Sequence, residues 1–532
     1  MTPDPRSPRT AITYPRRLHE LAVEEPGAVA LTVVEPGGGT TRLTRAELDA
    51  RSAALARALA GEGIDAGSLV VLAVPNGVGF VTCAYATWWL GACLLPLPIR
   101  LVPAEQRAVL AAAAESGRPL VVVAAPGIEI DAASVGGRVL ALTELQTRAA
   151  TMRTDPPTTP TTDRVPDPGR ALPSGGSTGR PKIIVDTRPM VAEPDVPNRL
   201  HELTGRLPGR TTLVAGPGYH SMPFNSLFGA LFERGHVVLL TRFDAATALD
   251  AVERFGVHTF PTVPTYLLRM AQLPGFDERD LSSLAHLYHS GAACPAWLKR
   301  RWMDRIGPER VYEGFGSTEA VGMLVIRGDE WLAHPGSVGR GDTTEIVIRD
   351  PDGADLPAGG VGEIFLRWRR TTGPTGSSLQ GATFRYWGSE VPATPDGFVS
   401  VGDLGHLDEA GYLYVADRRV DMIVSGGVNV YPAEVEAALS EHPDVEDVVV
   451  VGLPDPEWGH RVHAVVVPRA NAHRDAMPAA LESFARDRLS TAKLPKTVEL
   501  VEELPRNEAG KVRRAALVDD RRPTTSPLPD PS

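Results

Sequence analysis

The stretch Ser174-Gly175-Gly176-Ser177-Thr178-Gly179-Arg180-Pro181-Lys182 carries the densest chemistry in the chain. Glycines let a backbone come close to an anion, and successive N–H groups in a tight turn form a concave nest for it. Hydroxyls and a lysine add donors, although an ordinary turn has a similar composition. Two other motifs overlap this one. The Walker phosphate loop ends in Gly-Lys-Ser/Thr, whereas Gly179 is followed here by Arg180-Pro181. Gly175-Gly176-Ser177-Thr178-Gly179 also spells the G-x-S-x-G elbow, which would make Ser177 a hydrolase nucleophile. That elbow must run directly into a helix, and Pro181 with Ile183-Ile184-Val185 favours a strand.

Four further segments combine suitable residue types. Tyr312-Glu313-Gly314-Phe315-Gly316-Ser317-Thr318-Glu319 offers an aromatic face to stack a base, glycines, hydroxyls, and a carboxylate suited to Mg²⁺. Val401-Gly402-Asp403-Leu404-Gly405 sets an aspartate between glycines; it is an ordinary turn former and also an acceptor for paired ribose hydroxyls. Asp417, Arg418 and Asp421 lead into Ser425-Gly426-Gly427-Val428, where a hinge would sit. Leu504-Pro505-Arg506-Asn507-Glu508-Ala509-Gly510-Lys511 puts a lysine at a glycine turn, commonly a solvated arrangement.

The elements that must position these residues alternate between helix and strand. Thr44-Arg45-Ala46-Glu47 is a capping box, followed at helical spacing by Leu48, Leu55 and Leu59. Leu69–Val74 is a solid apolar run, as expected of a strand buried on both faces. Similar runs recur at 120–123, 139–142, 211–214, 237–240 and 258–263, with helical stretches between most of them. The class is therefore α/β with largely parallel sheets. Residues 155–170 read as a Pro/Thr/Asp-rich connector, and from Trp331 short strands with Gly-rich turns suggest a β-rich unit. From Pro432 the pattern is that of a compact α+β domain.

Composition excludes several classes. Among 532 residues there are 52 glycines and 48 prolines, loop-rich but without a period of three, while 43% are apolar and 22% charged. That excludes a collagen-like or wholly disordered chain. Three cysteines exclude a disulfide framework and a four-thiolate zinc site. A net charge of −11 argues against nucleic acid as a partner. The uncharged run from Gly79 to Ile99 contains Gly91, Pro96 and Pro98, so it reads as a buried helix turning into a strand and not as a membrane span. Residues 1–10 lack the apolar core of a signal peptide, and the expected compartment is the cytoplasm.

In this order, the five motifs resemble the adenylate-forming superfamily of acyl-CoA synthetases, adenylation domains and luciferases. Leu90-Gly91-Ala92-Cys93-Leu94-Leu95-Pro96 and Gly336-Ser337-Val338-Gly339 agree with it. The resemblance implies a large N-terminal AMP-binding domain of layered α/β sheets over residues 13–417, including a β-rich subdomain at 331–417. It implies a hinge at 418–421 and a small mobile α+β domain at 422–520, between flexible ends at 1–12 and 521–532. It also implies an acyl-adenylate made from a carboxylic acid and ATP with Mg²⁺, then transferred to the CoA thiol.

Residue by residue, the resemblance makes Ser174, Gly175, Gly176, Ser177, Thr178, Gly179 and Lys182 the loop on the β- and γ-phosphates. Gly314 and Phe315 would flank adenine, with Phe315 in place of the usual tyrosine. Thr318 would contact the α-phosphate and Glu319 would ligate Mg²⁺. Asp403, helped by Arg418, would hold the ribose, and Gly426 and Gly427 belong to the nucleotide side. Lys511 would bridge the carboxylate and α-phosphate, with His220 as the gate beside the carboxylate. Phe224, Asn225, Gly291, Ala292 and Gly314 would line the acyl pocket with His220. The segment Gly218–Asn225 lacks the aspartate that pairs with an amino-acid ammonium, so an α-amino acid is unexpected. The Ser-Gly-Gly-Ser-Thr-Gly loop is similar to that of ligases for bulky, polycyclic acids. Ile183 and the apolar hinge residue Val420 depart from the family pattern. The alternatives are a separate carrier-protein thiol as acceptor, a Ser177 hydrolase, and a catalytically dead nucleotide binder; a homodimer stays open.

Overall fold

The computed structural model describes residues 11–151, 164–174, 182–194, 203–204, 206–369, 384–387, 393–508 and 510–521. The apolar runs become the strands of two parallel sheets. In one, the order is Cys93–Pro96, Leu69–Ala73, Leu120–Ala124 and Arg138–Ala141, all parallel. Strand Leu69–Ala73 is wholly buried, as its unbroken apolar run requires. The uncharged run resolves as the buried helix Val78–Trp89, a turn at Gly91, and strand Cys93–Pro96. The Thr44 capping box is formed in full at the start of helix Arg45–Gly61.

The second sheet has eight strands. Six run parallel in the middle, including Val237–Leu240, Thr212–Val214, Thr259–Thr262, His286–Ser290 and Val311–Gly316, and an antiparallel strand closes each edge. Helix Ser221–Phe232 and its partners fill the space between the two sheets, where Trp88 meets Phe224 and Phe228 edge to face. This core is the frame on which the carboxyl ends of the parallel strands present their loops.

A three-stranded antiparallel sheet of Ala171–Ser174, Lys182–Asp186 and Phe384–Trp387 packs against the first parallel sheet. The β-rich unit is a five-stranded antiparallel sheet containing Val399–Leu407 and Tyr412–Arg418. The smaller domain follows, built on a long hairpin of Val445–Asp455 with Gly459–Pro468 that is flanked by helices Pro432–Leu439 and Met477–Arg486. Residues at both limits of the described chain have partners. Ile12–Thr13 pairs with Val191–Ala192, and Arg521 grips Glu499 at 2.6 and 2.8 Å. No helix among the described residues is long and apolar enough to cross a membrane.

Candidate active site

Strands Ala171–Ser174 and Lys182–Asp186 form a hairpin in which Ser174 faces Lys182, so they bracket the glycine-rich loop. Gly175, Gly176, Ser177, Thr178 and Gly179 themselves lie outside the described residues. The Lys182 amine lies 5.1 Å from the centre of the Tyr386 ring. The Tyr386 hydroxyl donates to Glu319 Oε1 at 2.7 Å. Burial, and then Glu319, raise the Tyr386 phenol above its ordinary range, so it keeps the proton it donates. Tyr386 thus links the loop strand to the Glu319 carboxylate, a role no motif signals.

The second cluster sits where strand Val311–Gly316 ends. Phe315 is half-buried against the β-rich unit. The turn after it holds Ala320 at φ 52 and leaves Ser317 Oγ buried with no hydrogen-bond partner among the described residues. Thr318 and Glu319 line a cleft with Arg170, Asp186 and Arg188. Arg170 reaches Asp186 at 3.0 Å and also donates to Asn225, which therefore ends in a polar pairing. Under Gly314, Glu313 pairs with the buried Lys299.

Asp403 stands opposite Arg418 in the register of their two strands, with Arg418 Nε 3.5 Å from Oδ1. Burial pushes the Asp403 carboxyl up to about 6, and Arg418 pulls it the other way. Lys511 reaches this pair from the smaller domain. Burial and Arg418 hold its amine below the ordinary value, while Asp403 opposes them. Burial, and then the Lys511 charge, bring His220 down to about 4, so its ring is neutral near pH 7. Its Nε2 is buried without a partner among the described residues. Lys511, His220, Asp403 and Arg418, drawn from distant parts of the chain, therefore share one electrostatic environment.

Other predicted residues lie elsewhere. Phe224 is fully buried in the aromatic core. Gly291 and Ala292 are exposed just beyond strand His286–Ser290. A side chain at Gly314 would overlap the Tyr288 hydroxyl, so Tyr288 already fills space that glycine vacates. Gly426 and Gly427 have φ values of 57° and 80° and form the turn between Ile423–Ser425 and Val428–Val430, as a two-residue hairpin requires. A Cβ at Gly426 would come within 2.7 Å of Trp458.

These groups suit a nucleotide. The carboxylate of Asp403 is an acceptor for ribose hydroxyls, the orphaned Ser317 hydroxyl is a donor, and the Lys511 amine stands beside Asp403 and Arg418. Among the described residues no group of three or more His, Cys, Asp or Glu is arranged for a metal. A hard cation would need only phosphate oxygens and one carboxylate here, for which Glu319 would serve.

The sequence pattern of the AMP-binding enzymes matches residues 18–372, and that of their C-terminal domain matches residues 434–511. The chain belongs to the adenylate-forming AMP-binding enzymes. It is 36% identical to a feruloyl-CoA synthase of Amycolatopsis over 493 residues, 91% of this chain and 95% of that protein. It is 30% identical to the long-chain-fatty-acid–CoA ligase FadD13 of Mycobacterium tuberculosis over 496 residues, 91% of this chain and 94% of that one. ATP-bound MatB of Rhodopseudomonas palustris superposes with a TM-score of 0.76 at 26% identity, covering 96% of this chain and 99% of MatB. As an AMP-binding enzyme of this kind, the chain is an acid–thiol ligase that works through an acyl-adenylate.

Proposed function

We propose that this AMP-binding enzyme joins a hydrophobic, bulky carboxylic acid other than an α-amino acid to the thiol of CoA. The observation that carries the reading is the meeting of Lys511 with His220, Asp403 and Arg418 in one cleft. In the first step a carboxylate oxygen attacks the α-phosphorus of ATP and pyrophosphate leaves. Both reactants are anions. A lysine between them offsets their repulsion and stabilises the charge that develops in transfer. Neutral His220 beside the acid adds no charge of its own. Asp403 fixes the ribose, and Glu319, Thr318 and the loop bracketed by Ser174 and Lys182 receive the phosphates. Mg²⁺ bound at Glu319 would neutralise phosphate charge. In the second step the CoA thiol attacks the acyl carbonyl, AMP leaves with the electron pair of the acyl–oxygen bond, and the thiol proton passes to solvent.

The acid is read from chemistry and from relatives. Gly218–Asn225 carries no carboxylate for an ammonium, and the relatives named above act on ferulate or on long-chain fatty acids by name. Three cysteines, two of them buried, suit the reducing cytoplasm we take as its compartment. The test is a panel of ferulate, a long-chain fatty acid, a bile acid and phenylalanine, scored for pyrophosphate release with and without CoA. Release with one or more hydrophobic acids, and thioester only with CoA, is expected. Release without thioester on CoA would move the acceptor to a carrier-protein thiol. No release from any acid would overturn the reading.

A further inference from the structure

Lys511 belongs to the smaller domain, yet its amine works in a cleft of the larger one. Its loop is rigid within its own domain. Asn507 N donates to Lys511 O at 2.8 Å, Lys511 N donates to Asn507 Oδ1 at 2.9 Å, and Gly510 N donates to Asn507 O at 2.8 Å. Arg506 forks onto Asp447 at 2.7 Å twice and caps Gly510 O at 2.8 Å. None of these bonds crosses to the larger domain.

Of the described bonds by which residues 506–511 cross to the larger domain, three meet at Glu508. The Tyr219 hydroxyl donates to Glu508 Oε2 at 3.0 Å, and Arg100 Nε stands 2.6 Å from Oε1. The Tyr266 hydroxyl donates to the Glu508 carbonyl, and Tyr266 is itself stacked on Phe243 with ring centres 3.6 Å apart. Next along the loop, Thr265 Oγ1 reaches Gly510 O at 3.3 Å. Tyr219 directly precedes His220, and their rings lie 4.6 Å apart. One carboxylate is therefore gripped from two separate segments, one of which carries the gate beside the substrate acid.

We propose that Glu508 is a positioning residue: its carboxylate, held by Tyr219 and Arg100, seats the Lys511 loop in the larger domain for adenylate formation and releases it for thiol transfer. The inference rests on the ligase reading above. Arg100 is largely exposed, so its ion pair steers more than it holds. The Tyr219 bond is the sheltered one. Burial and Glu508 raise the Tyr219 phenol, which keeps it a donor.

The test separates the half-reactions. Glu508→Ala is expected to lower kcat for acid-dependent pyrophosphate exchange roughly ten- to a hundredfold, the range for a lost charge-assisted hydrogen bond. It should leave thioester formation from a chemically made acyl-adenylate at the wild-type rate. Glu508→Gln, which keeps an acceptor for the Tyr219 hydroxyl, should recover most of the exchange. Hydrogen exchange, read without any substrate, should show faster labelling of the segment 504–514 in Glu508→Ala and unchanged labelling of the core strands. Equal loss in both half-reactions would assign Glu508 a merely structural role and overturn the proposal. So would wild-type exchange together with wild-type labelling of 504–514. A wild-type protein inactive on every acid would refute the ligase reading instead, and the labelling comparison would still decide the clamp.

Discussion

A lysine at a glycine turn is normally a solvated surface residue; here its charge is felt by an aspartate and a histidine and stands beside an arginine. On the proposed reading Lys511 acts only while two anions combine, so its loss should strike one half-reaction. Lys511→Ala is expected to cost about 3–4 kcal/mol in acid-dependent pyrophosphate exchange, a fall of some hundred- to thousandfold, and to spare thiol transfer from a supplied acyl-adenylate. Asp403 makes a second prediction. Its folded carboxyl titrates at about 6, against 3.8 ordinarily. Between those values the folded chain holds a proton that the unfolded chain has lost, so stability falls as pH rises from about 4 to 6 and then levels. Function runs the other way, since ribose hydroxyls are accepted best by the ionised form. Adenosine affinity, measured calorimetrically, should rise through pH 6 in the wild type. In Asp403→Asn it should be weaker and flat with pH, while thermal stability at pH 7 should not fall below that of the wild type.

At the scale of elements, the strand Val311–Gly316 presents Gly314 and Phe315 only because Glu313 beneath them is neutralised by Lys299. Both side chains are nearly inaccessible, at 2% for Lys299 and 10% for Glu313. Lys299→Met should strand the carboxylate and cost about 3–5 kcal/mol in the denaturant transition of the larger domain. Adding Glu313→Gln should recover most of that. The pair also marks the boundary of what the sequence makes legible. Solid apolar runs and the Thr44 box announce their strands and helix because a local period carries the signal. The lysine at Lys511 and the aspartate at Asp403 are legible through flanking glycines. Tyr386, Tyr219 and Glu508 are not, because each acts through a partner tens to hundreds of residues away, and no local pattern encodes such a pairing. Asn225 is misleading for the same reason: only the fold brings Arg170 across to it. Tyr288 is hidden too, since the space above Gly314 is set by the neighbouring strand.

At the scale of the whole molecule, the domains are arranged so that Lys511 stands beside Asp403, Arg418 and His220, as adenylate formation on the proposed reading requires. The domains touch through polar contacts: Glu508 with Tyr219 and Arg100, Arg513 with Glu105, Trp297 Nε1 with Ser440 at 3.2 Å, and Gln272 with the Glu446 carbonyl at 3.0 Å. Polar interfaces of this kind come apart more readily than apolar ones. The chain between the domains turns at Arg418–Asp421, where Asp421 N donates to Arg418 O at 3.0 Å and Val420 is 62% exposed. A largely exposed valine gives up little buried area when the backbone around it rotates, so an apolar residue at this place is compatible with a swing. Asp421 also receives Arg514 at 3.2 Å, and Arg514 grips Glu436 at 2.8 and 2.9 Å, so the segment beyond the turn moves as part of the smaller domain. Rotation must then be absorbed by residues 418–420. Proline at 420 fixes φ there and restricts Arg419 before it. Proline at the third position of this turn also strains the bond from Asp421 N to Arg418 O, so Val420→Pro should lower acid-dependent pyrophosphate exchange modestly while thioester formation on CoA falls at least tenfold further, a split read in one stopped assay of AMP, pyrophosphate and thioester. Equal rates for both steps would move the pivot away from Val420.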